Sequence, residues 1–160
     1  DNELEEKEII VFNQSNEIIE KTVFDENEQI IEKIENTYID NKLIKQIEKG
    51  AKNEFIAEKN YFYDQKGNLI KRTTLNAEKE IINLVKFTYD EFNRMIKQNI
   101  NNSYFIRFSF DDENHTTTEE RLLSNGILQY SKISKYDENN LLIEENGSEG
   151  NKIFVYEFFE

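Results

Sequence analysis

The sequence predicts an all-β protein: an antiparallel meander of about 12–14 short strands, built from β-hairpin repeats of about 25 residues. Three observations support this prediction. A motif of an aromatic residue, Asp or Asn, two variable residues and Gly or Asn recurs along the 160 residues. Apolar and polar residues alternate with a period of two between the motifs. The chain also contains no proline, which would remove a hydrogen bond from a strand ladder.

The motif has the chemistry of a hairpin turn. Asp or Asn suits the first position of a type I turn, and a three-residue loop with a bulge needs a left-handed residue three positions later. Gly and Asn adopt that conformation more readily than other residues. The geometry pairs each aromatic residue with the residue six positions after it, which is aliphatic in four copies and threonine in one. The copies are Phe12–Asn16, Tyr63–Gly67, Tyr89–Asn93, Phe110–Asn114 and Tyr136–Asn140, with a shorter one at Ile39–Asn41.

The spacing of the motifs defines a repeat. The Asp or Asn positions are 13, 40, 64, 90, 111 and 137, so that successive copies are separated by 27, 24, 26, 21 and 26 residues. Such a period holds two strands and two turns. Phe24–Glu28 is similar to the motif, but it follows the first copy by 12 residues and has Glu28 at the left-handed position, so we assign it to the opposite edge. The other turns of that edge are expected at 49–53, 76–79, 101–103, 124–126 and 146–150.

The alternation predicts thirteen strands, and the final one is expected to carry Phe154, Tyr156 and Phe158 on one face. Residues 28–36 and 51–60 also have helical propensity, but the repeat frame favours strands there. We expect a single domain, 1–160, whose strongly twisted, coiled sheet is open; a closed soluble barrel is the alternative. The strands are predicted at 4–12, 18–24, 30–39, 43–49, 55–63, 69–75, 81–89, 95–100, 104–110, 116–123, 127–136, 141–145 and 151–159.

The stretch Tyr63-Asp64-Gln65-Lys66-Gly67-Asn68-Leu69, echoed at 89–95 and 136–141, resembles the YD repeat of Rhs-type bacterial proteins. Elsewhere Asn replaces the Gly of the motif. The resemblance implies a β-hairpin array that coils into a spiral wall, which in large members forms a shell around a toxin. A chain of 160 residues is too short to enclose a folded domain. The resemblance therefore implies a short, non-catalytic repeat scaffold or a module that binds a protein or a glycan. It also implies export from a bacterium, to the cell surface, the periplasm or the medium.

Charge narrows the range of partners. The formal net charge of −13 argues against nucleic acid, because phosphate contacts need clustered Lys and Arg. It favours a basic partner or simply keeps the protein in solution, and an immunity or antitoxin-like protein that binds a basic toxin is the alternative function.

No run of 18 apolar residues occurs, so no membrane insertion is expected. Because the chain begins at Asp1 without Met, we expect a processed or trimmed form, and removal of a leader is one way to produce it.

The sequence contains no recognisable set of catalytic or metal-binding residues. We therefore expect a protein that is not an enzyme and binds no cofactor and no metal. His115 is the only histidine; beside Asp111, Asp112 and Glu113 it is expected to be a solvated turn residue. The acidic turns lack the pattern of a calcium loop. Candidates for partner contact are the aromatic residues that fall off the repeat's aromatic face or in a turn: Phe62, Phe92, Phe105 and Phe159. The residues assigned a structural role in turns are Asp64, Gly67, Asp90, Asn93, Asp111, Asn114, Asp137 and Asn140.

Overall fold

A computed structural model describes residues 6–157, and it is all-β. The strands and one short 3₁₀ turn, Ala51–Asn53, account for nearly all of the regular structure in that range. The strands are β1 (Glu6–Phe12), β2 (Ile18–Asp25), β3 (Ile30–Ile39), β4 (Lys42–Gly50), β5 (Phe55–Tyr63), β6 (Leu69–Leu75), β7 (Ile81–Tyr89), β8 (Met95–Ile100), β9 (Tyr104–Asp111), β10 (Thr116–Leu123), β11 (Leu128–Tyr136), β12 (Leu142–Gly147) and β13 (Gly150–Ile153).

Each strand pairs with its sequence neighbours, so the thirteen-stranded sheet is a meander in the order β1 to β13. The strand order begins at β1 and ends at β13, which confirms the open antiparallel meander and contradicts the closed alternative. The contacts divide the chain into two compact units, one up to Leu84 and one from Val85, with the boundary inside β7. That the whole chain is one domain stays a prediction.

Most of the predicted strand bounds match the structure within one or two residues. Most residues of the two segments with helical propensity lie in β3 and β5, because hairpin pairing on both sides outweighs local preference. Residues 51–53 of the second segment form the short 3₁₀ turn. The prediction for the last strand is wrong in length: β13 ends at Ile153, and residues 154–157 are not a strand. Phe158, Phe159 and the start of the first predicted strand at residue 4 lie outside the described residues.

Seven hairpins share one turn geometry. In each, the N–H of the first loop residue donates to the C=O four positions later, and the N–H of the fourth donates back to the C=O of the first, at 2.9–3.2 Å. The fourth residue has a positive φ in every case. These first and fourth positions are Asn13 and Asn16, Asp25 and Glu28, Asp64 and Gly67, Asn76 and Lys79, Asp90 and Asn93, Leu123 and Gly126, and Asp137 and Asn140.

An Asp or Asn side chain reinforces six of these seven turns. Its Oδ1 accepts the backbone N–H four positions on, at 2.8–3.0 Å, and in most of them also the N–H two positions on. These side-chain hydrogen bonds add to the two backbone hydrogen bonds that close the loop. The register shift next to each loop confirms the predicted aromatic–aliphatic pairs: Phe12 with Ile18, Tyr63 with Leu69, Tyr89 with Met95, and Tyr136 with Leu142.

Glu28 and Lys79 show that this geometry does not depend on Gly or Asn. Their φ angles are 57° and 64°, in a region that costs a side-chain-bearing residue free energy. Asp25 and Asn76 at the first positions supply the side-chain hydrogen bonds that hold these turns closed. The Phe24–Glu28 segment therefore forms a full copy of the turn, on the opposite edge as predicted.

The short copy at Ile39–Asn41 forms a different turn. Ile39 pairs with Lys42 around a two-residue loop, and Asp40 and Asn41 have φ angles of 50° and 59°. Two consecutive left-handed residues are characteristic of a type I′ hairpin. A bulge between Thr37 and Tyr38 then pairs Tyr38 with Leu43, so the aromatic–aliphatic pair survives the loss of two loop residues.

The prediction for the Asp111 turn is wrong. Asp111 pairs with Thr116 and Phe110 with Thr117, so the loop has four residues, and Phe110 does not face Thr116. The left-handed residue is His115, with a φ of 51°, and not Asn114. Thr116 offers no aliphatic side chain for an aromatic–aliphatic pair. This hairpin is continuous, without the register shift that marks the other aromatic motifs.

The sheet has little core. Among the described residues the buried hydrophobic side chains are Val23, Ala57, Val85 and Leu122. Cross-strand ion pairs cover part of the surface instead. In the first unit the Lys33 ammonium lies 3.0 Å from Glu20 and 3.4 Å from Glu35, and Glu35 also binds Lys49 at 2.8 Å. Each pair is partly exposed and is worth roughly 0.2–1 kcal/mol, so the backbone ladder and turn chemistry must contribute much of the stability.

Tyrosine hydroxyls connect successive repeats. Tyr38 donates to the C=O of Ile18 at 3.2 Å, and Tyr63 donates to the C=O of Leu43 at 2.8 Å. Tyr156 repeats the pattern with the C=O of Leu142 at 2.8 Å. In all three, the accepting residue pairs with the preceding aromatic residue beside a bulge. The bulge and the tyrosine hydrogen bond thus occur together in each of these three repeats.

The part of the chain that the structure describes contains no helix that is long and apolar enough to span a membrane.

The strained turn at Glu28 gives a first test. We expect Glu28→Gly to stabilise the protein by about 0.5 kcal/mol, because relief of a left-handed side chain outweighs the entropy that glycine gains in the unfolded chain. Glu26→Gly, in the same loop but without a positive φ, should destabilise it. Urea unfolding of the wild type and both variants measures the change in the free energy of unfolding. Equal destabilisation by both would contradict the strain at Glu28.

Candidate binding surface

Three turns of the second unit form what we call the acidic turn edge: residues 90–94, 112–115 and 137–141. They connect β7 with β8, β9 with β10, and β11 with β12, so the meander brings alternate hairpin loops to the same edge. These loops contain six acidic residues. The loops of this unit at the opposite edge, 101–103, 124–127 and 148–149, contain one, Glu149. Charge is therefore distributed unequally between the two edges.

Arg94 connects the first two turns. Its Nε donates to Asp90 Oδ2 at 2.8 Å and its Nη1 to Asp112 Oδ1 at 2.7 Å. The guanidinium also lies 4.3 Å from the ring centre of Phe110 and 5.2 Å from that of Phe92. Planar contact with two carboxylates and an aromatic ring suits Arg better than Lys. Arg94 thus neutralises part of the edge and fixes the spacing between two loops.

A groove of about 400 Å³ lies between the second and third turns. Phe110, Tyr136, His115 and Asn140 line it, together with Arg94 and Asp112. Tyr136 is half-buried, whereas His115 and Asn140 are exposed. The groove combines aromatic surface with several polar groups, which is the composition typical of small-ligand sites.

The turn hydrogen bonds hold carboxylates in their charged form. The backbone N–H of Asn68 lowers the pKa of Asp64, and the side-chain amide of Asn114 lowers the pKa of Asp111. At Asp90 partial desolvation acts in the opposite direction, but hydrogen bonds from Arg94 outweigh it and the pKa is lowered. Carboxylates that accept several N–H groups generally titrate low. These three aspartates therefore stay negative throughout the neutral range.

The aromatic residues proposed for partner contact do not form one site. Phe62 is 41% exposed on β5 of the first unit, with the Lys71 ammonium 3.8 Å from its ring centre. Phe92 is 69% exposed in the β7–β8 turn, and Phe105 is half-buried on β9 under Lys97 at 4.3 Å. Phe159 lies outside the described residues. Their role in binding stays a prediction, and Phe92 alone lies on the acidic turn edge.

The residues assigned to turns lie in the loops described above. Gly67, Asn93 and Asn140 have φ angles of 92°, 67° and 61°, and Asp64, Asp90 and Asp137 begin their turns. Asp111 and Asn114 belong to the four-residue loop, where Asp111 accepts the N–H of Asn114 at 3.1 Å and its Nδ2 at 2.7 Å.

Arg94 and Tyr136 were not among the predicted site residues. Neither the guanidinium stack nor the groove is encoded by a local motif, because each depends on two loops far apart in sequence. One signal was present: Thr116 stands where the other aromatic motifs have Ile, Leu or Met. In residues 6–157 no group of three or more His, Asp or Glu side chains is arranged to hold a metal ion.

Comparisons with known proteins give distant structural likenesses. No family model matches the chain, and no curated protein matches it. A Tc holotoxin pore from Photorhabdus luminescens matches with a TM-score of 0.43 and 11% identity, over 88% of this chain and 9% of that chain. A TcdB2-TccC3 crystal structure matches with a TM-score of 0.45 and 12% identity, over 91% of this chain and 10% of that one. This chain thus spans about a tenth of the matched chains. A likeness at these TM-scores carries no inference about activity or partners, and membership of the YD-repeat family stays a prediction.

The lowered pKa of Asp64 predicts an acid-sensitive contribution to stability. Its folded pKa lies below the unfolded value of about 3.9, so this contribution is present above about pH 4 and is lost as pH falls through the folded pKa. Asp64→Asn keeps an acceptor for the Asn68 N–H but removes the charge. We expect the variant to be less stable than the wild type at pH 7, with a smaller difference at pH 3. Urea unfolding at both pH values tests this, and a difference that grows on acidification would contradict it.

Proposed function

We propose that this chain is a non-catalytic β-hairpin repeat scaffold that binds a basic protein through its acidic turn edge. The observation that carries the proposal is the unequal charge of the second unit, with six acidic residues in the loops of one edge and one in the loops of the other. Complementary charge accelerates association and selects partners of opposite sign.

The structure suits this role in two further respects. Hairpin loops at one edge of a meander are presented side by side on a ladder of paired strands, which limits their freedom. Arg94 fixes two of the loops to each other through Asp90 and Asp112. A loop surface that is ordered before binding loses less conformational entropy when the partner binds.

The glutamates in the middle of the three loops supply negative charge that a partner can reach. Glu91, Glu113 and Glu138 are exposed, and within residues 6–157 none of their carboxylates makes an ion pair or a hydrogen bond. A basic partner can therefore reach them without breaking the turns. Phe92, exposed beside Arg94, offers an apolar contact at the same edge.

An immunity-type protein that neutralises a basic toxin is the second candidate, and the same edge supports it. The two differ in consequence: an immunity protein abolishes the activity of its partner, whereas a scaffold leaves it active. Export to the cell surface, periplasm or medium also belongs to the proposal, on the resemblance to YD repeats. Fractionation of the native host, with detection of the protein by antibody, tests export.

The edge is tested by two variants of equal charge. Glu91→Gln/Glu113→Gln/Glu138→Gln removes three exposed charges from the acidic turn edge. Glu26→Gln/Glu78→Gln/Glu149→Gln removes three exposed charges from loops that are not part of the acidic turn edge. Both change the formal net charge from −13 to −10. Surface plasmon resonance against an oligolysine peptide, at 50 and 300 mM salt, measures binding.

We expect the first variant to bind more slowly and several-fold more weakly at low salt, and the second to resemble the wild type. Exposed charges that are farther from the contact than the Debye length, roughly 14 Å at 50 mM salt, are largely screened. Binding should weaken as salt rises. Equal loss in both variants would show that net charge alone attracts the peptide and would contradict a defined binding edge.

A further inference from the structure

A second groove of the second unit lies toward the edge opposite the acidic turn edge. It has a volume of about 620 Å³, and we call it the Arg121 groove. Ile106 of β9 faces Arg121 of β10, and Arg121 faces Tyr130 of β11, so three lining residues stand in one row across the sheet. Ser148 and Glu149, from the loop between β12 and β13, also line the groove.

A hydrogen bond and a glycine bring the β12–β13 loop against β11. The N–H of Ser148 donates to the C=O of Ser131 at 3.2 Å. At Gly147 a Cβ atom would lie 3.0 Å from the Ser131 oxygen, which is tighter than most Cβ contacts. The absence of a side chain at Gly147 thus permits this close approach of two backbones. Glu149 is thereby placed at a groove whose other walls are strands.

Arg121 and Glu149 line this groove without a charged partner in residues 6–157. On the neighbouring strand Arg107 binds Glu120, with Nε 2.8 Å from the carboxylate. The Arg121 guanidinium instead lies over the Tyr104 ring, 4.2 Å from the ring centre, and makes no ion pair within the described range. Glu149 makes none there either, so its carboxylate is more than 4.0 Å from the guanidinium. The groove thus presents one positive and one negative charge that do not neutralise each other.

Polar and apolar groups surround these two charges. Within residues 6–157 the hydroxyls of Tyr130 and Ser148 and the side-chain amide of Gln129 make no hydrogen bond. Ile106 and Leu123 are half-buried and add aliphatic surface. A volume of about 620 Å³ lies within the range of small-ligand sites, roughly 300–1,000 Å³.

We propose that the Arg121 groove binds a free α-amino acid with an apolar side chain. The guanidinium presents N–H donors that bind both oxygens of a carboxylate, and its contact with Tyr104 restricts the plane in which they point. Glu149 accepts hydrogen bonds from the ammonium. Ile106 and Leu123 contact the apolar side chain. This site is separate from the acidic turn edge and does not depend on the binding proposed there.

The charge of the protein favours a zwitterion over a simple anion. A formal net charge of −13 repels an anion, whereas a ligand that is neutral overall is neither attracted nor repelled at long range. Glu119 also lines the groove, with its carboxylate 3.9 Å from the Lys132 ammonium, and adds to the repulsion of an anion. A ligand that carries an ammonium beside its carboxylate avoids this cost.

Ligands of one shape separate the two charges. Leucine and phenylalanine carry both charges, their amides lack the carboxylate, and their N-acetyl derivatives lack the ammonium. NMR titrations at about 150 mM salt, which screens general attraction of the cationic amides, measure binding to the wild type, Arg121→Gln and Glu149→Gln. Arg107→Gln is the matched control. It removes the same charge one residue from Ile106, where the alternation of the strand directs the side chain to the opposite face.

We expect leucine or phenylalanine to bind the wild type saturably. The amide and the N-acetyl derivative should bind about tenfold more weakly, because each loses a charge-assisted hydrogen bond. Arg121→Gln should no longer distinguish the amino acid from its amide, and Glu149→Gln should no longer distinguish it from the N-acetyl derivative. Arg107→Gln should bind all three like the wild type.

Three results would overturn the proposal: neither amino acid binds at millimolar concentration, an N-acetyl derivative or an amide binds the wild type as well as its amino acid does, or Arg107→Gln loses binding as fully as Arg121→Gln. The comparison of ligands on the wild type alone decides the second result, so the proposal can fail even if a variant does not fold.

Discussion

A left-handed residue at the fourth position of the hairpin turn is the constraint on which this sheet depends. Seven hairpins close through the same pair of backbone hydrogen bonds, and in each the fourth loop position has a positive φ. That conformation places an extra residue in the returning strand, so the pairing shifts by one position beside the loop. The shift brings an aromatic residue opposite an aliphatic one. Side-chain register, and hence which residues share a face, follows from the turn.

The Asp or Asn at the first position stabilises the turn enough for even Glu28 and Lys79 to adopt a positive φ. Its Oδ1 accepts backbone N–H groups two and four positions on, which would otherwise be left to solvent. Leu123 is informative because it cannot do this. There Gly126 is the left-handed residue, and Asn125 Oδ1 accepts the N–H of Ile127 instead. Side-chain acceptor and glycine thus substitute for each other in stabilising the same turn.

Because few side chains are buried, hydrogen bonds and ion pairs between neighbouring hairpins help to hold the sheet together. Tyrosine hydroxyls reach carbonyls freed beside the bulges, and lysines bridge carboxylates on adjacent strands, as Lys132 does between Glu119 and Glu145. The four-residue loop after Asp111 lacks such a bulge, and the groove of about 400 Å³ lies beside it.

The sequence by itself determined the strands, their order and most of the turns. These depend on local chemistry: Asp64 and Gly67 define a loop wherever the chain goes, and alternation such as Val85, Phe87 and Tyr89 defines the strand before the next loop. A meander adds little ambiguity, because each strand pairs with its neighbours in the chain. The errors were local too. At the Asp111 loop one residue more or less changes the turn type, and at the chain's last strand the alternation continues beyond Ile153, where β13 ends.

Only the tertiary structure decided which distant groups meet. Arg94 contacts Asp112 across eighteen residues, and Tyr136 lies beside His115 across twenty-one; no periodic pattern specifies either contact. Tyr38, Tyr63 and Tyr156 each donate to a carbonyl in another hairpin, at a residue beside a bulge, and only the folded sheet brings these groups together. Composition and periodicity do not encode the groove, because its walls come from hairpins that are neighbours only in the folded sheet.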